Sequence, residues 1–278
     1  MAIMRPLLVL ASVLALALPA RAQYAEGGAR TLALGRAGAA LGAQAWGHLN
    51  PAAWAGLTDR RAGLQASQAF GVSELRLGAL SAAAPTAFGT AALAARTYGF
   101  TERRETQVKA GLGRRLALGA SRALDVGLAV GVETASVEGY GSETAVLLDL
   151  GVQGEVVSGL RAGLSGRNLL ALARDDASDL RQSAGTVPAV TIGLAYAPSE
   201  TSTLVLDAVQ DLDFGLSVRG GAEVYVVPEL ALRVGVSSEP VRFSGGAGVV
   251  VSGLRADLAF ELHETLGLTP AVGVEVSF

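Results

Sequence analysis

The hydrophobic and polar positions of this chain alternate along most of its length. From Arg60 to the C-terminus, apolar residues recur at every second position, which is the signature of β-strands. About fourteen such runs follow one another, and most are about 9–14 residues long, at or slightly above the length that a tilted strand needs to cross a bilayer. One run shows the pattern clearly in its apolar positions, which are Leu124, Val126, Leu128, Val130 and Val132.

The two faces of these strands carry different residues. One face is almost continuous Leu, Val, Ile and Ala, whereas the other combines many Gly and Ala residues with scattered Arg, Asp and Glu. A soluble β-sandwich also alternates, but its outer face is usually rich in Lys, Thr, Ser and Glu; here Lys109 is the only lysine. A continuous apolar outer face with a polar interior predicts an all-β protein, a transmembrane antiparallel β-barrel of about 14 strands. A soluble all-β fold is the alternative.

The chain ends in the middle of this pattern, with the residues AVGVEVSF. In hydrocarbon, an open sheet edge leaves unpaired N–H and C=O groups that cost several kcal/mol each. The first and last strands must therefore pair, and we interpret the final strand as one side of the barrel seam. A terminal Phe on such a strand also resembles the signal by which outer-membrane barrels are recognised for insertion, and we assign that role to Val274, Val276 and Phe278.

The first 22 residues have the pattern of a signal peptide. Arg5 supplies a positive charge, an uncharged apolar run extends from Pro6 to Leu18, and Ala20-Arg21-Ala22 fits a signal-peptidase site. The run is shorter than the roughly 20 apolar residues of a transmembrane helix. We therefore predict export and cleavage before Gln23, with a retained membrane anchor as the alternative. For a β-barrel, export implies the bacterial outer membrane.

Residues 23–59 lack the alternation and are rich in Ala and Gly. We predict a compact plug segment with one or two short helices, followed by the barrel at 60–278. Asn50-Pro51-Ala52 stands out because Pro suits the first turn of a helix and Asn suits the turn before it. A charged stretch at 169–186 is predicted to form a loop or a small cap outside the membrane.

Several short motifs occur in the order typical of a known family. They are Ala29-Arg30, Leu34-Gly35, Gly38-Ala39 and Asn50-Pro51-Ala52 near the start, then Gly166-Arg167-Asn168-Leu169, Val187-Pro188, Arg233-Val234-Gly235 and Asp257-Leu258-Ala259-Phe260. Together they resemble PorV/PorQ-type outer-membrane barrels, distant relatives of the long-chain fatty-acid transporters. Gly35-Arg36-Ala37 and Leu258 depart from the family pattern.

The resemblance implies a fourteen-stranded barrel with the Asn-Pro-Ala segment in or near the lumen, as part of a plug. Some members of the family carry hydrophobic molecules through a lateral opening. Others serve the type IX secretion system and handle cargo that bears a C-terminal signal.

Charged residues on the second face are predicted to point into the lumen. The eight that we single out are Lys109, Glu133, Arg219, Glu223, Arg233, Arg255, Asp257 and Glu261. The same reasoning places Glu74 and Arg76 inside and the alternate residues Leu75 and Leu77 against lipid. Such charges can select or gate a solute, or they can form a paired network that fills the barrel. Their mixed signs favour the network.

The sequence has few of the residues that catalytic or cofactor-binding sites need. The chain has no Cys and two His, His48 and His263. A dyad of His263 with Ser237 or Ser244 would make an outer-membrane lipid hydrolase, but a rim position for His263 is favoured. Two isolated His residues do not make a metal site. With a formal net charge of −3 and no basic run, nucleic acid is not an expected partner. We expect no catalysis and no cofactor.

These observations lead to one main functional prediction and one alternative. The main prediction is an outer-membrane barrel of the PorV/PorQ type with a secretion-associated or envelope role. The alternative is passive transport of small hydrophobic molecules. The expected partners are outer-membrane lipid, the barrel-assembly machinery, and either secretion components or a hydrophobic solute.

Overall fold

The strands form a closed antiparallel barrel in the computed structural model of this chain. The structure describes residues 27–46, 49–119, 122–170, 187–211 and 215–278. The predicted signal peptide, His48 and most of the loop predicted at 169–186 lie outside these residues. No helix in the described segments is long and apolar enough to span a membrane.

Fourteen strands of the described chain each pair with the next, and the first pairs with the last. Their bounds are β1 (Arg61–Gln68), β2 (Arg76–Thr86), β3 (Gly89–Gly99), β4 (Arg103–Leu118), β5 (Arg122–Val137), β6 (Gly141–Val157), β7 (Leu160–Arg167), β8 (Ala189–Ser199), β9 (Ser202–Asp211), β10 (Gly215–Val227), β11 (Leu230–Ser238), β12 (Val241–Val251), β13 (Leu254–His263) and β14 (Gly267–Ser277). The predicted fold class is thereby confirmed.

The two ends of the barrel differ in their connections. At the end that holds the start of β1 and the end of β14, five connections are two residues long, namely 87–88, 158–159, 200–201, 228–229 and 252–253. The opposite end carries longer connections such as 69–75. Because outer-membrane barrels have short periplasmic turns and longer extracellular loops, we infer that the first end is periplasmic and the second extracellular, and name them so below.

The outer surface of the barrel is a band of exposed aliphatic side chains. Leu64, Ile192 and Val234 are 65%, 61% and 63% exposed. Their neighbours one position along each strand face the lumen, are buried or half-buried, and are small or polar. This exposure is unfavourable in water but suits a protein whose outer face meets hydrocarbon.

The face assignment at β2 was wrong. Leu77 is buried on the lumenal side, Arg76 and Leu80 are exposed on the outer side, and Glu74 is exposed in the connection before the strand. The pairing of Arg76 with Gln68 fixes this register. Because side chains alternate with a period of two, choosing the wrong register by one residue moves every side chain to the other face.

The barrel closes through β1 and β14. Their register runs from Arg61 opposite Ser277 to Ser67 opposite Ala271, and the Phe278 N–H donates a hydrogen bond to the Arg60 carbonyl at 3.0 Å. Val274, Val276 and Phe278 are exposed on the outer face. The C-terminal residues therefore form the seam, while their role as an assembly signal stays a prediction.

Deleting Phe278 is expected to impair insertion, because it removes the terminal aromatic residue and one hydrogen bond of the seam. The measurement is the fraction of protein with heat-modifiable gel mobility in the outer membrane. Phe278→Tyr, which retains an aromatic end, is the control. Insertion of the deletion variant at the native level would contradict the assembly signal.

Candidate functional site: the lumenal plug

The N-terminal segment lies inside the barrel and contacts β1, β3–β6 and β11–β14. We call residues 27–46 and 49–57 the plug. It begins with helix α1 (Gly28–Ala33), continues as irregular chain, and ends in a 3₁₀ helix at Pro51–Gly56. Leu32, Leu34 and Asn50 are at most 1% exposed, so the plug is packed against the barrel wall as closely as a protein core.

Asn50 joins three parts of this structure. Its Oδ1 accepts a hydrogen bond from the Ala52 N–H at 3.0 Å and so caps the 3₁₀ helix, in which Pro51 takes the first position. Its Nδ2 donates to the carbonyl of Ala39 at 2.6 Å and to that of Val152 on β6 at 3.3 Å. One side chain therefore ties the two limbs of the plug to each other and to the wall.

The plug fits inside the barrel because inward-facing glycines of the wall leave free the space that side chains would fill. A Cβ at Gly151 would lie 1.9 Å from Asn50 Oδ1, and one at Gly127 would lie 2.2 Å from the carbonyl carbon of Pro51. Real atoms do not approach so closely, so a side chain there would displace the plug. The residues with this property form what we call the glycine belt: Gly63, Gly111, Gly113, Gly127, Gly151, Gly163, Gly193, Gly221, Gly235 and Gly246.

Buried charges fasten the plug to the wall. Arg30 donates two hydrogen bonds to Glu223 at 2.9 and 2.6 Å, and Arg36 donates two to Glu261, both at 2.7 Å. Burial by itself would lower the pKa of the Arg30 guanidinium, but the charge and hydrogen bonds of Glu223 hold it above its ordinary value. Such two-point contacts fix orientation as well as charge.

Asp207 on β9 fastens the middle of the plug through its backbone. Its Oδ2 accepts hydrogen bonds from the N–H groups of Gly38 and Ala39 at 2.8 and 3.0 Å. This carboxylate oxygen gives both backbone N–H groups a hydrogen-bond acceptor, and without it they would be buried without partners. The plug is thus held at its beginning, middle and end.

The eight predicted lumen charges all lie on inward faces of the strands. Lys109 contacts Asp149 at 2.5 Å and Arg96 contacts Glu133 at 2.9 Å. Arg233 bridges Glu223 at 2.6 Å and Asp257 at 2.7 Å. The other contacts are those of Glu261 with Arg36, Arg255 Nη2 with the Tyr225 hydroxyl at 3.0 Å, and Arg219 Nε with the Ser217 hydroxyl at 3.5 Å.

Several partners in this network escaped the sequence analysis. Arg96 lies on β3, whose other inward positions are uncharged, and Arg30 and Arg36 lie outside the alternating region. Asp149 lies on β6, whose inward positions also include Glu143 and Glu155. Asp125 on β5, which binds Arg115 at 2.7 Å and Arg161 at 3.0 Å, was also missed. The alternation at 145–153 gives Asp149 an inward parity and could have identified it.

His263 lies at the extracellular rim, and its contacts are structural. Its Nδ1 accepts hydrogen bonds from the N–H groups of Thr265 and Leu266 at 3.1 and 3.2 Å, and its ring packs edge-on against Phe70. The Ser244 hydroxyl instead bonds the plug backbone at Ala33, and that of Ser237 bonds the Pro240 carbonyl. These contacts do not form the dyad that a hydrolase would need.

Apolar side chains meet at one place in the extracellular half of the lumen. Leu77 on β2 pairs with Tyr98 on β3, and both are buried, at 4% and 9% exposure. Leu75 and Ala79 pack against them. We call these four residues the apolar corner. It contrasts with the charged residues that line the neighbouring inward positions, among them Arg96 and Glu105.

Comparison with solved structures relates this barrel to outer-membrane channels. The "CymD monoaromatic hydrocarbon channel" is similar with a TM-score of 0.65 and 13% identity, covering 91% of this chain and 98% of that one. The Pseudomonas putida toluene transporter TodX has a TM-score of 0.60 and 13% identity, covering 91% and 97%. A Pseudomonas aeruginosa FadL homologue has a TM-score of 0.59 and 10% identity, covering 92% and 98%. The shared feature is the fold.

No protein-family model and no curated protein matches the sequence. The predicted relation to fatty-acid-transporter barrels therefore holds at the level of the fold, and the outer membrane is the location in keeping with it. Membership of the PorV/PorQ type and a link to type IX secretion stay predictions. The similar structures are channels and transporters, in line with the expectation of a protein without catalysis.

Proposed function

We propose that this barrel is a plugged outer-membrane channel for passive passage of small hydrophobic molecules. The observation that carries the proposal is the apolar corner at Leu77 and Tyr98. Leu77 and Tyr98 are covered by their neighbours at rest, so a hydrophobic solute gains about 25 cal/mol per Å² of its surface removed from water only as it displaces the side chains that cover them. The charged residues around it offer no such gain.

The contacts of the plug are in keeping with a gate. It is held by ion pairs and backbone hydrogen bonds to the wall, which can exchange with water when the plug shifts. Solved barrels with this fold include proteins described as a monoaromatic hydrocarbon channel and a toluene transporter. We therefore take a monoaromatic hydrocarbon as the first solute to test.

Leu77→Asn is expected to reduce toluene uptake about tenfold, because an amide replaces the largest aliphatic surface of the corner, worth about 1.5–3 kcal/mol. The measurement is the initial uptake rate in a deletion strain complemented with each variant. Leu77→Met, which keeps volume and apolarity, is the control and should retain most of the uptake. Heat-modifiable mobility verifies that both variants assemble.

Two outcomes would contradict the proposal. The first is native uptake by an assembled Leu77→Asn barrel. The second is a deletion strain that takes up toluene normally but no longer secretes cargo with a C-terminal signal. That result would favour the secretion-associated role predicted from the sequence.

A further inference from the structure

The outer surface of the barrel has a shallow groove across β14, β1, β2 and β3. Its volume is about 690 Å³, within the range of roughly 300–1,000 Å³ that is typical of small-molecule sites. The register brings small outward residues side by side here, since Ala66 pairs with Gly78 and Gly78 pairs with Thr97. Because these outward side chains are small while Leu64 and Leu80 lie next to them, this stretch forms a depression.

Larger aliphatic residues border the floor of the groove. The next outward positions toward the middle of the membrane are Leu64 and Leu80, which pair with each other and are 65% and 50% exposed. A Cβ on Gly78 would meet only the Thr97 methyl group, at 3.9 Å. The floor is therefore open space, bounded by apolar side chains on the side of the bilayer core.

Two arginines stand at the extracellular end of this groove. Arg76 is the first residue of β2 and Arg104 lies near the start of β4, and both line the groove and are exposed. Strand β3 separates them and presents Gly99, which pairs with Arg104. Two strand spacings amount to about 10 Å, so the two guanidinium groups can reach toward one ligand placed above the glycine.

We propose that this groove binds a phosphorylated lipid of the outer leaflet, with an acyl chain along Ala66 and Gly78 and a phosphate between Arg76 and Arg104. Guanidinium groups recognise phosphate through paired, charge-assisted hydrogen bonds. Basic residues next to an apolar membrane surface are a recurring arrangement for anionic headgroups. Only an anionic lipid uses both the apolar floor and the two cations.

Two acidic residues lie near this site: Glu74, and Glu102, which follows the groove residue Thr101 and is exposed. Glu74 accepts a hydrogen bond from the Ser73 hydroxyl at 2.7 Å and lies within electrostatic range of Arg76. It is fully exposed, so its attraction for Arg76 is weak. A doubly charged lipid phosphate at the membrane surface competes with it effectively.

Binding of diphosphorylated lipid A to the full barrel in detergent, counted by native mass spectrometry, tests the proposal. Arg76→Ala/Arg104→Ala is expected to weaken binding about tenfold or more. Gly78→Leu fills the floor with a side chain suited to lipid and should weaken it by a similar factor. Arg114→Ala is the matched control, because Arg114 lies on the same strand and face as Arg104 but at the periplasmic end; its effect should stay within about twofold.

Three outcomes would overturn the proposal. One is native affinity in the assembled double-alanine variant, and another is an equal loss in Arg114→Ala. The third is displacement of the lipid by inorganic phosphate at comparable concentration, because it would mean that the arginines bind free phosphate. None of these outcomes depends on hydrocarbon uptake. The lipid-binding proposal can therefore be refuted or supported independently of the proposed channel function.

Discussion

Gly221→Val is expected to dislodge the plug and open the lumen. A Cβ at this position would lie 2.6 to 2.8 Å from the carbonyl oxygen, Cα and carbonyl carbon of Leu34. Backbone atoms in a packed segment cannot rotate away as a flexible side chain can. Overpacking of this kind costs about 1–3 kcal/mol, and moving the plug relieves it at the expense of the contacts made by Arg30 and Arg36. Planar-bilayer recordings should show a higher conductance than the native barrel.

The chain supplies a matched control one residue away. Gly220 lies on the same strand but faces lipid, and its Cβ would make ordinary contacts at 3.5 Å with Val205 and 3.7 Å with Leu206. Gly220→Val adds the same side chain where the apolar outer face accepts it, so its conductance should equal the native value. Equal conductance of the two variants would mean that the belt does not seat the plug.

Glu223→Gln is expected to lower the free energy of unfolding by about 3 kcal/mol. Glu223 is buried and accepts hydrogen bonds from Arg30 of the plug and from Arg233 of the wall. Removing its charge leaves the Arg30 guanidinium without its carboxylate, whereas Arg233 keeps Asp257. Urea unfolding of the barrel in micelles or liposomes measures the loss, and trypsin cleavage after Arg30 reports whether the helix has left the wall.

Glu275→Gln provides the comparison for this loss. Glu275 contacts Arg61 at 3.1 Å, and both side chains are more exposed than Glu223, so the change should stay below about 1 kcal/mol. The double variant Arg30→Met/Glu223→Gln should recover part of the loss, because no unpaired plug charge then remains. If Glu223→Gln cost no more than Glu275→Gln, the ion pair would not anchor the plug.

The barrel could be predicted because the alternation of apolar and polar residues is visible within each strand's own sequence. The alternation at 122–138 predicts an outer face of Leu and Val, and in the structure these residues lie on the outer surface of the barrel. The exception is β2, where Leu75 and Leu77 suggest one register and Leu80 the other. The pairing of β2 with β1 decides between these two registers. Such pairing depends on both strands and cannot be read from the sequence of one of them.

The seat of the plug could not be predicted in the same way. Asn50 was identified as a special residue, but its contact with Val152 joins positions about a hundred residues apart, and no local pattern encodes it. The glycines were visible as small residues facing inward. That they align opposite the backbone of Leu34 and Pro51 depends on how strands from the whole circumference are staggered.

The glycine belt also determines what separates the periplasm from the outside. At the belt the described wall presents bare peptide groups at ten inward positions, and the wall carboxylates Asp207, Glu223 and Glu261 bind the plug. The permeability barrier of the membrane at this point is therefore the N-terminal segment itself. A barrel that lost it would admit water and small ions through a hole lined by glycine backbone and by the carboxylates that had bound the plug, and those charges would determine which ions pass.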